Sequence, residues 1–192
     1  MQARLFDIET ALVTPRTVVR RFREGEGALF YDLVEENKYR ISDDFQQTTE
    51  AANDKEHAEF YLREKIAQWL LQQEYTFGVW DKDRAFLIGF IRVFNIVWAV
   101  PSAELAFFID RNFEGKGIMT EAVQSVMRFA FDQLQIEKLR LRVATDNYAS
   151  QRLARKCAFR REGDLRSEFR RPSGEMVDVM LFGYTKAEYD KV

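Results

Sequence analysis

Two glycines one residue apart, Gly115 and Gly117 in DRNFEGKGIMTEAV (110–123), stand directly before a run whose apolar residues repeat at helical spacing. The arrangement has two readings. Glycine supplies a positive φ at no steric cost where a chain turns into a helix. It also lets an anion approach the first-turn N–H groups, which lack intrahelical acceptors and sit at the positive end of the helix dipole. The local sequence leaves both open, and phosphate is the anion such a turn would take.

The usual nucleotide motifs do not fit. A P-loop needs Ser or Thr directly after Gly-Lys, and Lys116 is followed by Gly117. A dinucleotide fingerprint needs Gly or Ala three residues after the second glycine, where Thr120 stands. What remains is a pyrophosphate held by the backbone N–H groups of Gly115, Lys116, Gly117, Ile118, Met119 and Thr120, with Lys116 the one cation beside them in sequence. Other chemistries are poorly supplied. The single cysteine, Cys157, permits neither an intrachain disulfide nor a cysteine zinc cluster, and it is placed where a small core residue is expected. The single histidine, His57, reads as a solvated helix residue, so a Ser-His-Asp hydrolase is disfavoured.

The elements that position the turn follow from periodicity. Arg16 to Arg23 reads as a strand leading into a helix that ends near Asn37; Tyr39 to Asp54 has no clear period and reads as a loop. Glu56 to Gln73 keeps Ala58, Tyr61, Leu62, Ile66, Trp69 and Leu70 on one helical face. Tyr75 to Trp80 and Phe86 to Phe94 form a hairpin around DKDR, and a third strand, Ala103 to Asp110, follows Pro101. Thr120 to Leu134 is a helix, and in KLRLRV (138–143) the period switches from 3.6 to 2. Strand, glycine turn, helix and strand make a βαβ unit with parallel strands, opening a ligand site at the first strand's carboxyl end. A helix from Ala149 to Cys157, a hairpin around RRPSG and a capping box at Thr185 and Glu188 complete the chain.

At 192 residues one globular domain spanning 1–192 is expected. A formal charge of −2 argues against a strongly basic nucleic-acid binder. MQARLFDIETALV lacks the basic, then apolar, pattern of a signal peptide, and no window approaches a membrane span, so the expected location is the cytoplasm.

EGKGIMTEAV followed by TDNYASQRLARKCAFRREG resembles the two signature regions of the GNAT N-acetyltransferase superfamily, in the branch of RimJ/RimL-type ribosomal-protein N-terminal acetyltransferases. LIG at Leu87 to Gly89, AELAFFID at Ala103 to Asp110 and the closing GEMVDVMLFGYTKAEY extend the likeness over nearly the whole chain. The resemblance implies an α/β (α+β) fold: a mixed central sheet flanked by helices, with acetyl-CoA lying where Ala103–Asp110 and the parallel strand Lys138–Val143 splay apart. It further implies that the backbone of Phe108, Ile109 and Asp110 pairs with the pantetheine amides, that Gly115 to Thr120 hold the pyrophosphate, and that Asn147 touches the pantetheine arm as well as capping its helix. Of Arg152, Arg155 and Lys156, one would meet a CoA phosphate, with Arg152 the choice here.

Three positions depart from the commonest pattern: Asn112 where Gln or Arg begins the phosphate signature, Ala158 in place of a Gly before Phe159, and Ala154 where many members carry the Tyr that protonates the departing thiolate. Ser150 is the substitute hydroxyl by analogy with the RimL-like branch. Glu104 is the candidate base, direct or through a water, or else a carboxylate that orients the substrate. An α-amine of pKa about 8 is roughly a tenth neutral at pH 7, against about one lysine in 2,500. A protein or peptide N-terminus therefore suits a site without a strongly tuned base. A small amine such as a polyamine, amino acid or aminoglycoside is the alternative acceptor, and a non-catalytic CoA-binding sensor is the alternative class. No nucleic acid or membrane partner is implied, and homodimers are common among proteins of this kind.

Overall fold

The computed structural model describes residues 10–191; the amino-terminal reading rests largely on residues outside that range. Among the described residues, eight strands form one mixed sheet: β1 Ala11–Val13, β2 Thr17–Arg21, β3 Tyr75–Asp81, β4 Leu87–Val97, β5 Ser102–Ile109, β6 Lys138–Ala144, β7 Arg160–Arg170 and β8 Met176–Thr185. Their order is β1-β2-β3-β4-β5-β6-β8-β7. The first five make an antiparallel meander, and β5 and β6 are the parallel pair expected of the βαβ unit. The helices are α1 Gly27–Ile41, α2 Gln46–Ala51, α3 Lys55–Leu70, α4 Ile118–Arg128, α5 Tyr148–Lys156 and α6 Lys186–Tyr189. Thr185 and Glu188 form the expected capping box. Among the described residues no helix is long and apolar enough to cross a membrane, and no group of three or more His, Cys, Asp or Glu is arranged to hold a metal.

Two hydrophobic clusters line the sheet. In one, the α4 stripe Ala122, Val123, Val126 and Met127 packs with Leu105, Ile109, Leu139 and Leu141. α4 then widens into a π-helical turn, Phe129–Gln133, whose Phe129 and Phe131 are buried. At about 1.5–3 kcal/mol for each large apolar side chain buried, this stripe fixes the helix carrying the glycine turn against the first parallel strand. The other cluster joins α1 and α3 to Phe22, Trp80, Phe90 and Phe108.

Two expectations are corrected. Tyr39 to Asp54 is not a loop: Tyr39 to Ile41 complete α1, and α2 follows. The buried residues of α2 are Thr48 and Thr49, so no apolar period marks it. In α3, Leu70 is exposed while Lys65 is buried, its Nζ 3.3 Å from Oε2 of buried Glu74. An ion pair, rather than an apolar contact, fills that place on the helix face.

α1 and α3 cross at Gly27. A Cβ there would lie 2.5 Å from both the Cα and the N of Glu59, so only glycine allows the approach. The Glu59 carboxylate accepts hydrogen bonds from the N–H groups of Gly25 (2.8 Å) and Gly27 (2.9 Å). Burial acts to raise this carboxyl, but those donors and Arg63 outweigh it and hold it below its ordinary value.

α5 ends in a Schellman motif: the N–H of Phe159 donates to the Ala154 carbonyl at 3.0 Å and that of Ala158 to Arg155 at 3.1 Å. The left-handed residue is Ala158, with φ +65°, a conformation costing a Cβ-bearing residue about 1–2 kcal/mol. Ala158→Gly is expected to stabilise the protein by about 1 kcal/mol, part of the strain relief being offset by the freer unfolded chain. Thermal unfolding would read this as a rise of about 2–4 °C. An unchanged or lower midpoint would refute the strain.

Candidate active-site cleft

The parallel pairing of β5 and β6 is short. Ser102, Ala103 and Glu104 pair with Lys138, Leu139 and Arg140, and beyond them no pairing is made. The strands diverge into a cleft of about 1330 Å³, walled by Glu104 to Ile109 on one side and Leu141 to Ala144 on the other. Gly115, Gly117 and Ile118 to Thr120 line it near the α4 N-terminus, and the loop before α2 lines it through Asp43, Asp44 and Phe45.

Which backbone groups of β5 face the cleft follows from the ladder. Asp110 N–H donates to Ile88 O at 2.8 Å, so by antiparallel alternation the main-chain groups of Asp110 and Phe108 point to β4, and those of Phe107 and Ile109 point away from it. Of Phe108, Ile109 and Asp110, the residues expected to pair with the pantetheine amides, Ile109 turns its main-chain groups away from β4, as does Phe107, whereas Phe108 and Asp110 turn theirs toward it. Phe108 contributes a buried ring stacked on Phe90. Asp110 is buried, with its carboxylate accepting from Asn37 Nδ2 and from Asn112 N–H. Even the Ile109 carbonyl is engaged, by Arg40 Nη2 at 2.8 Å, leaving its N–H free of β4.

The glycine turn is built by backbone conformation. Gly115 and Gly117 have φ of +71° and +75°, and a Cβ on either would meet no protein atom closer than 3.7 Å. Their identity is thus set by the left-handed turn itself, which leaves open space beside the chain. Gly117 is the α4 N-cap and offers no side-chain acceptor. The first α-helical hydrogen bond is Glu121 N–H to Gly117 O, so the N–H groups of Ile118, Met119 and Thr120 are the donors left over. Lys116 turns back, its Nζ donating to Asn112 O at 2.8 Å, and it does not line the cleft. Arg16 braces the turn from outside, reaching Lys116 O and both oxygens of Glu121. Sequence spacing gave no sign of Arg16 or Arg40, which arrive from distant parts of the chain.

At the start of α5, Asn147 Oδ1 accepts from Ser150 N–H at 3.0 Å, the expected cap, while its Nδ2 donates to Asp44 at 2.7 Å across the cleft mouth. Ser150 lines the cleft, and among the described residues its Oγ has no hydrogen-bond partner. Ala154 is fully buried in the core and supplies no hydroxyl. Tyr148, exposed at the rim, brings a second hydroxyl that sequence reasoning missed. Arg152 and Lys156 line the cleft one helical turn apart, whereas Arg155 turns toward Phe182. Cys157 is buried, and burial pushes its thiol up to about 12, in keeping with a packing role. His57 is exposed and hydrogen-bonded to Asp54, outside the cleft.

Glu104 stands at the fork where the strands part. Its Oε2 accepts from Arg142 Nε at 2.8 Å and its Oε1 from Asn95 Nδ2 at 3.2 Å. Arg142 also pairs with Glu168 at 3.3 Å, and Arg171 pairs with Asp146 and Asp43. Glu104, Glu168, Asp146 and Asp43 thus share two guanidiniums, while the nearby Asp44 pairs with the Asn147 amide and burial raises its carboxyl.

The model of the acetyltransferase (GNAT) domain matches residues 16–160. The Bacillus subtilis N-acetyltransferase homologue YjcK is 37% identical over 92 residues, 47% of this chain and 51% of that protein, so the chain spans about half the length of such curated relatives. YdaF of the same organism, assigned by inference to the ribosomal N-acetyltransferases, is 23% identical over 186 residues, 94% of this chain and 97% of that one. The structure of RimL, a ribosomal L7/L12 α-N-protein acetyltransferase in complex with coenzyme A, superposes with a TM-score of 0.83 at 20% identity, over 91% of this chain and 97% of that chain. With the family model spanning most of the chain and the same fold in RimL, this protein belongs to the GNAT acetyltransferase family.

Proposed function

We propose that the protein is an acetyl-CoA-dependent N-acetyltransferase acting on the α-amine of a protein or peptide. The observation that carries this reading is the β5 edge left unpaired beyond Glu104, opening toward the uncapped N-terminus of α4 within one cleft. These features fit acetyl-CoA: amide-pairing groups at Phe107 and Ile109 suit a pantetheine arm, the N–H groups of Ile118, Met119 and Thr120 beside Gly115 and Gly117 suit a pyrophosphate, and Arg152 and Lys156 suit a further phosphate. When bound, that cofactor supplies a thioester as the acyl donor.

The chain's own residues then have separable roles. The cleft aligns the neutral amine with the acyl carbon, and this proximity contributes much of the acceleration. Ser150 Oγ–H donates a hydrogen bond to the sulfur as it gains negative charge. Glu104 accepts the amine's proton, directly or through a water, or orients the amine, with Arg142 fixing the carboxylate. An α-amine demands least of a base so held.

The test is acceptor-dependent release of CoA thiol from acetyl-CoA, with N-terminal peptides, polyamines and aminoglycosides compared. Faster release with peptides blocked at lysine but free at the α-amine is the expected result. Efficient lysine or polyamine acetylation with no α-amine transfer would overturn the acceptor assignment, and failure to bind acetyl-CoA would overturn the reading of the cleft.

A further inference from the structure

Resting on the α-amine reading above, a second feature of the acceptor end points to what lies next to that amine. The β4–β5 register pairs Arg92 with Ala106 and Phe94 with Glu104. Arg92 and Glu104 are therefore diagonal neighbours on one face of the sheet, about 7–8 Å apart. Arg92 and Phe94 line both the main cleft and a smaller pocket of about 430 Å³ bounded by Gln73 and Trp98.

The guanidinium of Arg92 is held ready but under-used. Its Cζ lies 4.2 Å from the Phe94 ring centroid, and its Nη2 donates to Glu74 Oε2 at 3.0 Å. Among the described residues that is the sole hydrogen bond made by its five N–H donors, and Nε is buried without a partner. Lys65 Nζ donates to the same Glu74 oxygen, and the other, Oε1, accepts from Thr76. The side chains of Lys65, Glu74 and Arg92 are 9%, 8% and 16% exposed. Two cations thus share one anion, leaving a net positive charge where an uncompensated charge is costly. The neighbouring group has the opposite imbalance, because Arg142 serves both Glu104 and Glu168. Across β4, β5 and β6 the acceptor end accordingly carries a positive pole at Arg92 beside a negative one at Glu104.

We propose that the acceptor is itself two-signed: a peptide N-terminus with Asp or Glu among its first two residues, the amine lying at Glu104 and the side-chain carboxylate at Arg92. One to two residues of extended chain span about 3.5–7 Å, which with an acidic side chain matches the separation of the poles. The carboxylate of a free amino acid sits on the same carbon as its amine and does not span it. A carboxylate also takes the donors that Arg92 leaves unused, and guanidinium is the cation best shaped for it. Arg92 is on this view a specificity-determining residue that takes no part in bond making.

The experiment compares kcat/KM for peptide pairs differing only in charge, Ala-Asp against Ala-Asn and Ala-Glu against Ala-Gln at the first two positions, with acetyl-CoA and the full chain. The acidic member is expected to be preferred by about 10- to 100-fold, the scale of a charge-assisted hydrogen bond. The preference should collapse toward unity in Arg92→Leu and be partly kept in Arg92→Lys. Arg92→Leu leaves Glu74 paired with Lys65, and circular dichroism checks that it folds. Equal rates for both members in the wild type, a preference that persists in folded Arg92→Leu, or free aspartate outrunning both peptides would each overturn the proposal while leaving α-amine transfer standing. Transfer to no peptide, with acetyl-CoA bound, overturns the α-amine reading and this inference with it.

Discussion

Ser150→Ala is expected to lower the turnover of acetyl transfer by about 10²–10³-fold, the scale of losing one hydrogen-bond donor to developing negative charge. The affinity for acetyl-CoA, measured by calorimetry, should change little. The substitution removes one oxygen and leaves the rest of α5 in place: the Asn147 cap bonds the backbone N–H of Ser150, not its hydroxyl, and alanine favours a helix. A fall in kcat without loss of cofactor binding is thus diagnostic of the Oγ. Tyr148→Phe is the companion variant, because the two hydroxyls share the cleft rim. If Ser150→Ala retains most of its turnover and Tyr148→Phe does not, the role belongs to the tyrosine.

Gly27→Val is expected to be the most damaging substitution for stability, by about 3–5 kcal/mol. Its Cβ would press on the backbone of Glu59, which cannot rotate away, and overpacking of this kind costs about 1–3 kcal/mol. Moving α3 would also loosen two charge-assisted hydrogen bonds to the Glu59 carboxylate, each contributing about 1.5–3 kcal/mol. Gly25→Ala separates space from backbone conformation. Gly25 has φ +87° and open surroundings, so it should lose only about 1–2 kcal/mol. Urea unfolding of both variants measures the difference; a Gly27→Val protein within 1 kcal/mol of wild type would show that α1 and α3 can part cheaply.

How much of this was legible in the sequence depended on whether a residue's role is local. α4, β6 and the capping box at Thr185 announce themselves by spacing, because apolar period and cap chemistry act within a few residues. α2 does not, since it buries Thr48 and Thr49 beneath a polar sequence. Lys65 is hidden for the same reason, a charge buried with a partner reading as a solvated one. In the cleft, the glycine turn and the Asn147 cap were visible because each is a short-range device. Arg16 and Arg40 were not, being joined to Lys116 and Ile109 across separations of 100 and 69 residues that only the sheet order brings together. Alternation along β5 was readable in outline, but which set of main-chain groups faces the cleft required the register with β4.

The strand order also has a consequence for the chain as it is being made. β1 to β5 lie in sequence order, each beside the strand just before it, so the acceptor-side wall can assemble as it emerges. The opposite wall cannot, because β8 is inserted between β6 and β7 and is the partner along the whole length of β6. Until Met176 to Thr185 have been synthesised, the strand pairing of β6 is limited to its three-residue seam with β5, and β7 lacks its partner strand among the described residues. The second wall of the cleft is thus closed by β8, the last of the described strands to be synthesised, so the frame of the first five strands can form before the cleft has both its walls.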